Sequence, residues 1–254
     1  MNRFTSLLRK ELTEFARTWK IWVIPGLFIV LAVTGVLSAR FAKELMQSLL
    51  PAGSDMSTLI PDPTWRDTLG QWTKNLSQIV GFALIIMLGS AISGEKRAGT
   101  AIMVLTKPVS RAGFVLSKFV STAILLIGAT LVGMLVTWGV TLIWFPDAPF
   151  GPLLAATAAW LLFALLLVAV VLLGSAAVDS GACAAGIGLG FFFLLMLSGI
   201  WGPMLRWTPT GMINAPVALG ADVEVDILWP ALTTAILTVA LVWATVKVFE
   251  RREL

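Results

Sequence analysis

The string Gly89-Ser90-Ala91-Ile92-Ser93-Gly94-Glu95-Lys96 is where this sequence comes nearest to a nucleotide-binding motif. A phosphate-binding loop needs lysine directly after its second glycine and serine or threonine next, so that backbone N–H groups and an ammonium converge on the phosphates. Glu95 holds the lysine position here, and a carboxylate there repels phosphate. The residues before it also read as an apolar helix rather than a strand. The chain is therefore expected not to bind ATP itself. Other chemistry lacks its residues too. There is no histidine, the commonest general base and metal ligand. The single cysteine, Cys183, lies in an apolar stretch and reads as a buried, inert thiol, and one cysteine excludes a disulfide framework. No catalytic residue, metal site or bound cofactor is expected.

The elements around that string follow from composition. Of 254 residues, 58% are hydrophobic and 13% charged, against about 25% charged in soluble domains. The mean hydropathy is +0.92. Hydrocarbon rather than water must be the main solvent. A helix needs about 20 apolar residues to cross a core about 30 Å thick. Such runs occupy 21–39, 76–93, 119–145, 153–178, 182–201 and 229–249, with charged residues 94–118 between the second and third. The polar stretch 40–72, with Pro51, Pro61 and Pro63, reads as a loop holding a short helix over 41–50. Asp179, Ser180 and Gly181 turn the fourth run into the fifth, and a mixed segment, 202–228, precedes the sixth. Ahead of the first run, Phe4, Leu7, Leu8, Leu12, Phe15 and Trp19 recur at spacings of three and four, while Arg3, Arg9, Lys10, Glu11 and Glu14 fall mostly on the other side. Without an apolar core behind its basic start, this segment does not read as a cleavable leader. The predicted fold class is all-α: residues 1–20 form an amphipathic helix on the membrane surface, and residues 21–254 form a polytopic domain of six transmembrane helices.

The net charge of +4 does not point to nucleic acid, because the basic residues flank the apolar runs instead of forming one patch. Of the 18 lysines and arginines, only Arg40, Lys43, Arg66, Lys74 and Arg206 fall on one side. Cytoplasmic flanks are enriched in such residues, so both termini are expected in the cytoplasm. Trp22, Trp65, Trp72, Trp144, Trp201, Trp207 and Trp229 fall at span ends, where an indole suits the headgroup level. The runs hold almost no ionisable side chain. Ion-coupled carriers and intramembrane enzymes need such groups at bilayer depth, so the energy for any transport is expected from outside the membrane.

Past the glutamate, the string continues as Gly94-Glu95-Lys96-Arg97-Ala98-Gly99-Thr100, then Leu105-Thr106-Lys107-Pro108-Val109-Ser110-Arg111, then Leu116-Ser117-Lys118. Gly99 and Thr100 suit the end of one short helix and the cap of the next. Pro108 forces Lys107 from helical geometry, and Ser110 can cap the helix that follows. This connection resembles that of membrane subunits of ABC transporters of the ABC-2 export family, as do the N-terminal helix, the six spans and the long segment before the sixth. The resemblance implies that Glu95, Lys96, Arg97, Gly99, Thr100, Lys107, Pro108, Ser110 and Arg111, with Leu8, Arg9, Glu11, Leu12 and Phe15 of the surface helix, seat the chain on a cytoplasmic ATPase. The alternative is that the charges only anchor span ends, which leaves the Gly-Thr and Pro-Val-Ser-Arg order unexplained.

In that family two membrane subunits pair and the second and fifth spans line the cargo path. Phe82, Met87, Phe192 and Met196 are then candidates for an adaptable apolar lining, lipid-facing positions being the alternative. Gly181 and Ala185, and Ala182, Gly186 and Gly190, set small residues at helical spacing for packing within the chain or on a second copy. The expected function is that of a permease subunit for an apolar or amphipathic cargo, in the plasma membrane, the bacterial inner membrane. Its expected partners are a separate ATPase that holds ATP and magnesium, a second permease subunit and membrane lipid, but not nucleic acid. An ATP-independent carrier or channel, or a non-transporting tether for an ATPase, is the rival reading.

Overall fold

Backbone polar groups in hydrocarbon must be satisfied within their own segment or by a closed barrel. In the computed structural model the regular elements are helical, with no strand among the described residues, which are 3–18, 20–49, 61–100 and 110–251. Helix α1 (Arg3–Arg17) precedes α2 (Lys20–Arg40) and the short α3 (Ala42–Leu49). Next come α4 (Trp65–Asn75), a π-helical stretch (Leu76–Val80), α5 (Gly81–Leu88) and α6 (Ser93–Arg97). The long α7 (Arg111–Trp144), α8 (Phe150–Ala177) and α9 (Gly181–Ser198) lead to the short α10 (Gly202–Trp207) and α11 (Gly211–Gly220), and α12 (Leu228–Arg251) closes the fold. Among the described residues, six helical segments are long and apolar enough to cross a membrane: Ile21–Arg40, Trp65–Arg97, Arg111–Trp144, Phe150–Ala177, Gly181–Ser198 and Leu228–Arg251.

The second span starts earlier than hydropathy suggests, at Trp65 instead of residue 76. Thr64 and Asp67 form a capping box there: the Thr64 N–H and hydroxyl each donate to the Asp67 carboxylate at 2.8 Å. The helix therefore takes in Trp72 and Lys74. Trp72 is no headgroup anchor. It is fully buried, edge-on to Phe28, and its indole N–H donates to Thr157. Gly133 makes this possible, since a Cβ there would lie 2.5 Å from the indole ring. Trp22 and Trp201, by contrast, are largely exposed.

Helix α8 is apolar all round and is the most buried span, packed by α5, α7, α9, α11 and α12. Helix α7 runs 34 residues, or roughly 50 Å at about 1.5 Å per residue, so it outreaches the hydrocarbon core. Its first turns carry Arg111 and Lys118 into the charged end of the bundle. The mixed segment before the sixth span folds as α10 and α11, with α11 packed on α8 and α4. Cys183, read as buried, is exposed, because it lies in the first turn of α9 on the side away from the bundle.

Candidate functional site

The string that failed as a phosphate loop falls at a break in the second span, between α5 and α6. Ser175 of α8 closes that break. Its hydroxyl accepts from the Ile92 and Ser93 N–H groups, each at 3.0 Å, and donates to the Gly89 carbonyl at 2.8 Å. Gly89 lets α9 come close, because any Cβ there would run into the Gly181 carbonyl. Backbone groups that a helix break would orphan in an apolar interior are thereby paired.

Helix α6 then presents Glu95 inward. Its carboxylate meets Lys118 of α7 at 2.6 Å and Lys10 of α1 at 3.2 Å, and Lys118 also meets Glu11 at 3.2 Å. Lys10 binds Glu11 at 3.0 Å and Glu14 at 3.2 Å. The side chains of Glu11 and Lys118 are 6% and 7% exposed. The periodicity of α1 places Glu11 on its polar side, but the structure turns it toward the bundle, where Lys118 compensates its charge. Burial alone would lower the Lys10 ammonium; the hydrogen bond to Glu11 and the charges of Glu11 and Glu95 outweigh it and hold Lys10 above the usual lysine value. The carboxylates of Glu11, Glu14 and Glu95 lie within 4.8 Å of one another, but the two lysines bind among them, so the arrangement is an ion-pair network rather than a ligand set.

Other residues of the connection reach helix ends. Lys96 binds the Asp179 carboxylate at 2.8 Å and lies near the last carbonyls of α8, and Arg97 donates to the Asp179 carbonyl at 2.7 Å. Arg111 donates to the Glu250 carbonyl of α12 at 2.7 Å. Cations at helix C-termini satisfy free carbonyls and the helix dipole together. Ser110 caps α7 by accepting from the Gly113 N–H at 3.0 Å. Gly99 adopts a φ of +69° beyond α6, and the Thr100 hydroxyl turns back to the Glu95 carbonyl. Lys107 and Pro108 lie outside the described residues. On α1, Leu8 and Leu12 are half-buried and Arg9 is exposed, while Phe15 lines a small apolar cavity with Met87.

A larger cavity opens farther along the second span. Lys74 and Glu95 are separated by roughly 30 Å of helix at about 1.5 Å per residue. The cavity, of about 700 Å³, lies between the second span, α9 and α11 and is lined by Phe82, Phe192 and Met196 together with Phe193, Lys74, Ser77, Gln78 and Asn214. Three of the four residues read as a cargo lining thus converge, with Phe82 and Phe192 edge-on at 5.2 Å. Met87 does not join them. The small residues of α9 divide as well. Gly181 and Ala185 pack against Ser90 and Gly89, whereas Gly186 and Gly190 face open space. Sequence reasoning missed Gly188, where a Cβ would lie 2.6 Å from Val171. It also missed Lys10, Lys118, Ser175 and Asp179 as partners; only their types were visible, not their meeting.

This is the architecture of an all-α, multi-pass membrane protein. Residues 5–254 match the ABC-2 family transporter proteins, and the chain belongs to that family as an ABC transporter permease. Over 196 residues it is 25% identical to an uncharacterized transmembrane protein, YxlG, of Bacillus subtilis (strain 168), covering 75% of this chain and 74% of that protein. Over 203 residues it is 27% identical to the probable ABC transporter permease protein NosY of Stutzerimonas stutzeri, covering 78% and 68%. The protein of that name from Pseudomonas aeruginosa is 27% identical over 199 residues, covering 75% and 66%.

Proposed function

We propose that this permease is the membrane half of an ATP-driven exporter, working with a second permease subunit and a separate cytoplasmic ATPase that binds ATP and magnesium. The observation that carries the proposal is the position of α6. One short helix is held to α1 and α7 through Glu95 and to the turn between α8 and α9 through Lys96 and Arg97. The same span continues into the wall of the large cavity. A partner pressing on the charged end would therefore move a braced unit whose other end borders the candidate cargo path. In this reading the charged end and both termini face the cytoplasm of a bacterial inner membrane, and the aromatic cavity takes an apolar or amphipathic cargo. The open Gly186 and Gly190 face suits close approach of a second copy.

Purification in mild detergent from cells that make the native partners tests the proposal. An ATPase subunit should copurify, and ATP turnover should appear only when it is present. Transport by the chain in ATP-free vesicles with no associated ATPase would overturn the exporter reading in favour of a passive carrier or channel.

A further inference from the structure

The large cavity has an apolar body and a polar edge of one sign. Phe82, Phe192, Phe193 and Met196 supply the apolar wall. At the edge stands Lys74, roughly 13 Å along the second span from Trp65, with no ion pair or hydrogen bond to any described residue. No aspartate or glutamate lines the cavity. Of the acids that follow its α11 wall, Asp222 is bound by Arg66 at 3.7 Å and Asp226 accepts from the Leu228 N–H, and neither these two nor Glu224 lines the cavity. An ionisable side chain within a span ordinarily has a partner or a function.

Ser77 is the independent observation. It is 8% exposed and lines the cavity, and its hydroxyl has no hydrogen-bond partner. Many hydroxyls in these helices bond back to their own backbone, as Thr73 does to Gly70 and Thr130 to Leu126, and the buried Ser175 bonds to a neighbouring span. Ser77 belongs to the π-helical stretch Leu76–Val80, and such insertions concentrate at functional sites. A buried hydroxyl left unpaired is costly, so its state points to an absent acceptor. The volume of about 700 Å³ suits a small organic molecule, since such sites span roughly 300–1,000 Å³.

From this geometry we infer that the cavity binds an anionic amphiphile. A carboxylate or phosphate pairs with Lys74 and accepts from Ser77, while Gln78 and Asn214 complete the polar edge and the apolar body lies against the aromatic wall. Naming this ligand as cargo rests on the exporter reading; its binding does not.

The test uses the full chain, with whatever subunits copurify, in nanodiscs of zwitterionic lipid. A diazirine-bearing undecanoic acid is crosslinked by light and its sites are mapped by mass spectrometry, with its methyl ester alongside. The acid should label the segments around Phe82 and Phe192 saturably. Half-saturation should need about tenfold more probe for the ester or for Lys74→Gln, and roughly threefold more for Ser77→Ala. Lys74→Arg should retain the labelling, and Lys43→Gln should not alter it. Doping with phosphatidylglycerol separates two sources of the same chemistry: displacement of the probe identifies a lipid headgroup, and persistence a single-chain acid. Equal labelling by acid and ester, an unchanged Lys74→Gln, or labelling spread over the outward-facing Ile143, Ile236 and Trp243 would overturn the inference. Labelling needs no ATP, so failure of an ATPase to copurify would remove the exporter reading without touching this one.

Discussion

Lys118 lies between two carboxylates, Glu95 at 2.6 Å and Glu11 at 3.2 Å. Removing one member of a buried ion set strands the others and costs roughly 3–5 kcal/mol, whereas an exposed pair contributes under about 1 kcal/mol. Lys118→Met should therefore lower the melting temperature of the solubilised chain markedly. Lys247→Met, which breaks an exposed pair with Glu250, should barely change it. Equal melting temperatures would mean that the network is no internal brace. Lys10 adds no pH sensitivity near neutrality: its pKa is raised, so its contribution is complete below the ordinary lysine value and is lost only in strong alkali. Ser175 acts by a different route, through two backbone donors. Ser175→Ala should cost about 1–3 kcal/mol and speed hydrogen exchange at the Ile92 and Ser93 amides. Unchanged exchange there would show that the break is held by other means.

At the scale of elements, α9 has two faces that differ in what a methyl group would meet. At Gly188 a Cβ would press on Val171 at 2.6 Å and on Ile85 at 2.9 Å, both side chains buried in the bundle. Gly188→Ala should destabilise the chain by about 1–3 kcal/mol. At Gly186 nothing lies within 4 Å, so Gly186→Ala should be neutral or raise stability by up to about 1 kcal/mol through helix propensity. Thermal unfolding of the two variants separates the faces, and the same sign in both would contradict this packing. Repeating glycines announced a seam in the sequence but not which side was taken. Hydropathy located six spans because each is long enough to outweigh its surroundings. It placed the start of the second too late because Thr64, Asp67 and Lys74 are polar, although Thr64 and Asp67 carry the capping signal. The buried Glu11 was not legible from periodicity, which sorts residues by type; its burial depends on Lys118, 107 residues away.

For the whole molecule, the internal role of Glu11 changes what the N-terminal helix can offer a partner. Arg9 is exposed on α1, whereas Glu11 is already bound by Lys10 and Lys118. A brace and a docking surface respond differently to substitution. Exposed charges at an interface set encounter rate and salt dependence, while their loss leaves folding stability within about 0.5 kcal/mol. If an ATPase docks on α1, Arg9→Glu should weaken its binding to the purified permease, most clearly at low salt, and leave the melting temperature of the partner-free chain unchanged. Glu11→Gln should do the reverse, lowering that melting temperature before any partner is added. Because α1 is joined through Glu95 to α6, and α6 to the turn between α8 and α9, a chain with a loosened brace should still bind the ATPase but pass less of each ATP cycle to transport. Binding affinity, melting temperature and transport per ATP hydrolysed, measured on both variants, decide the matter. If Glu11→Gln weakens docking without altering stability, the carboxylate is a partner contact, as the family resemblance implied, and the brace is not what joins the charged end to the cavity.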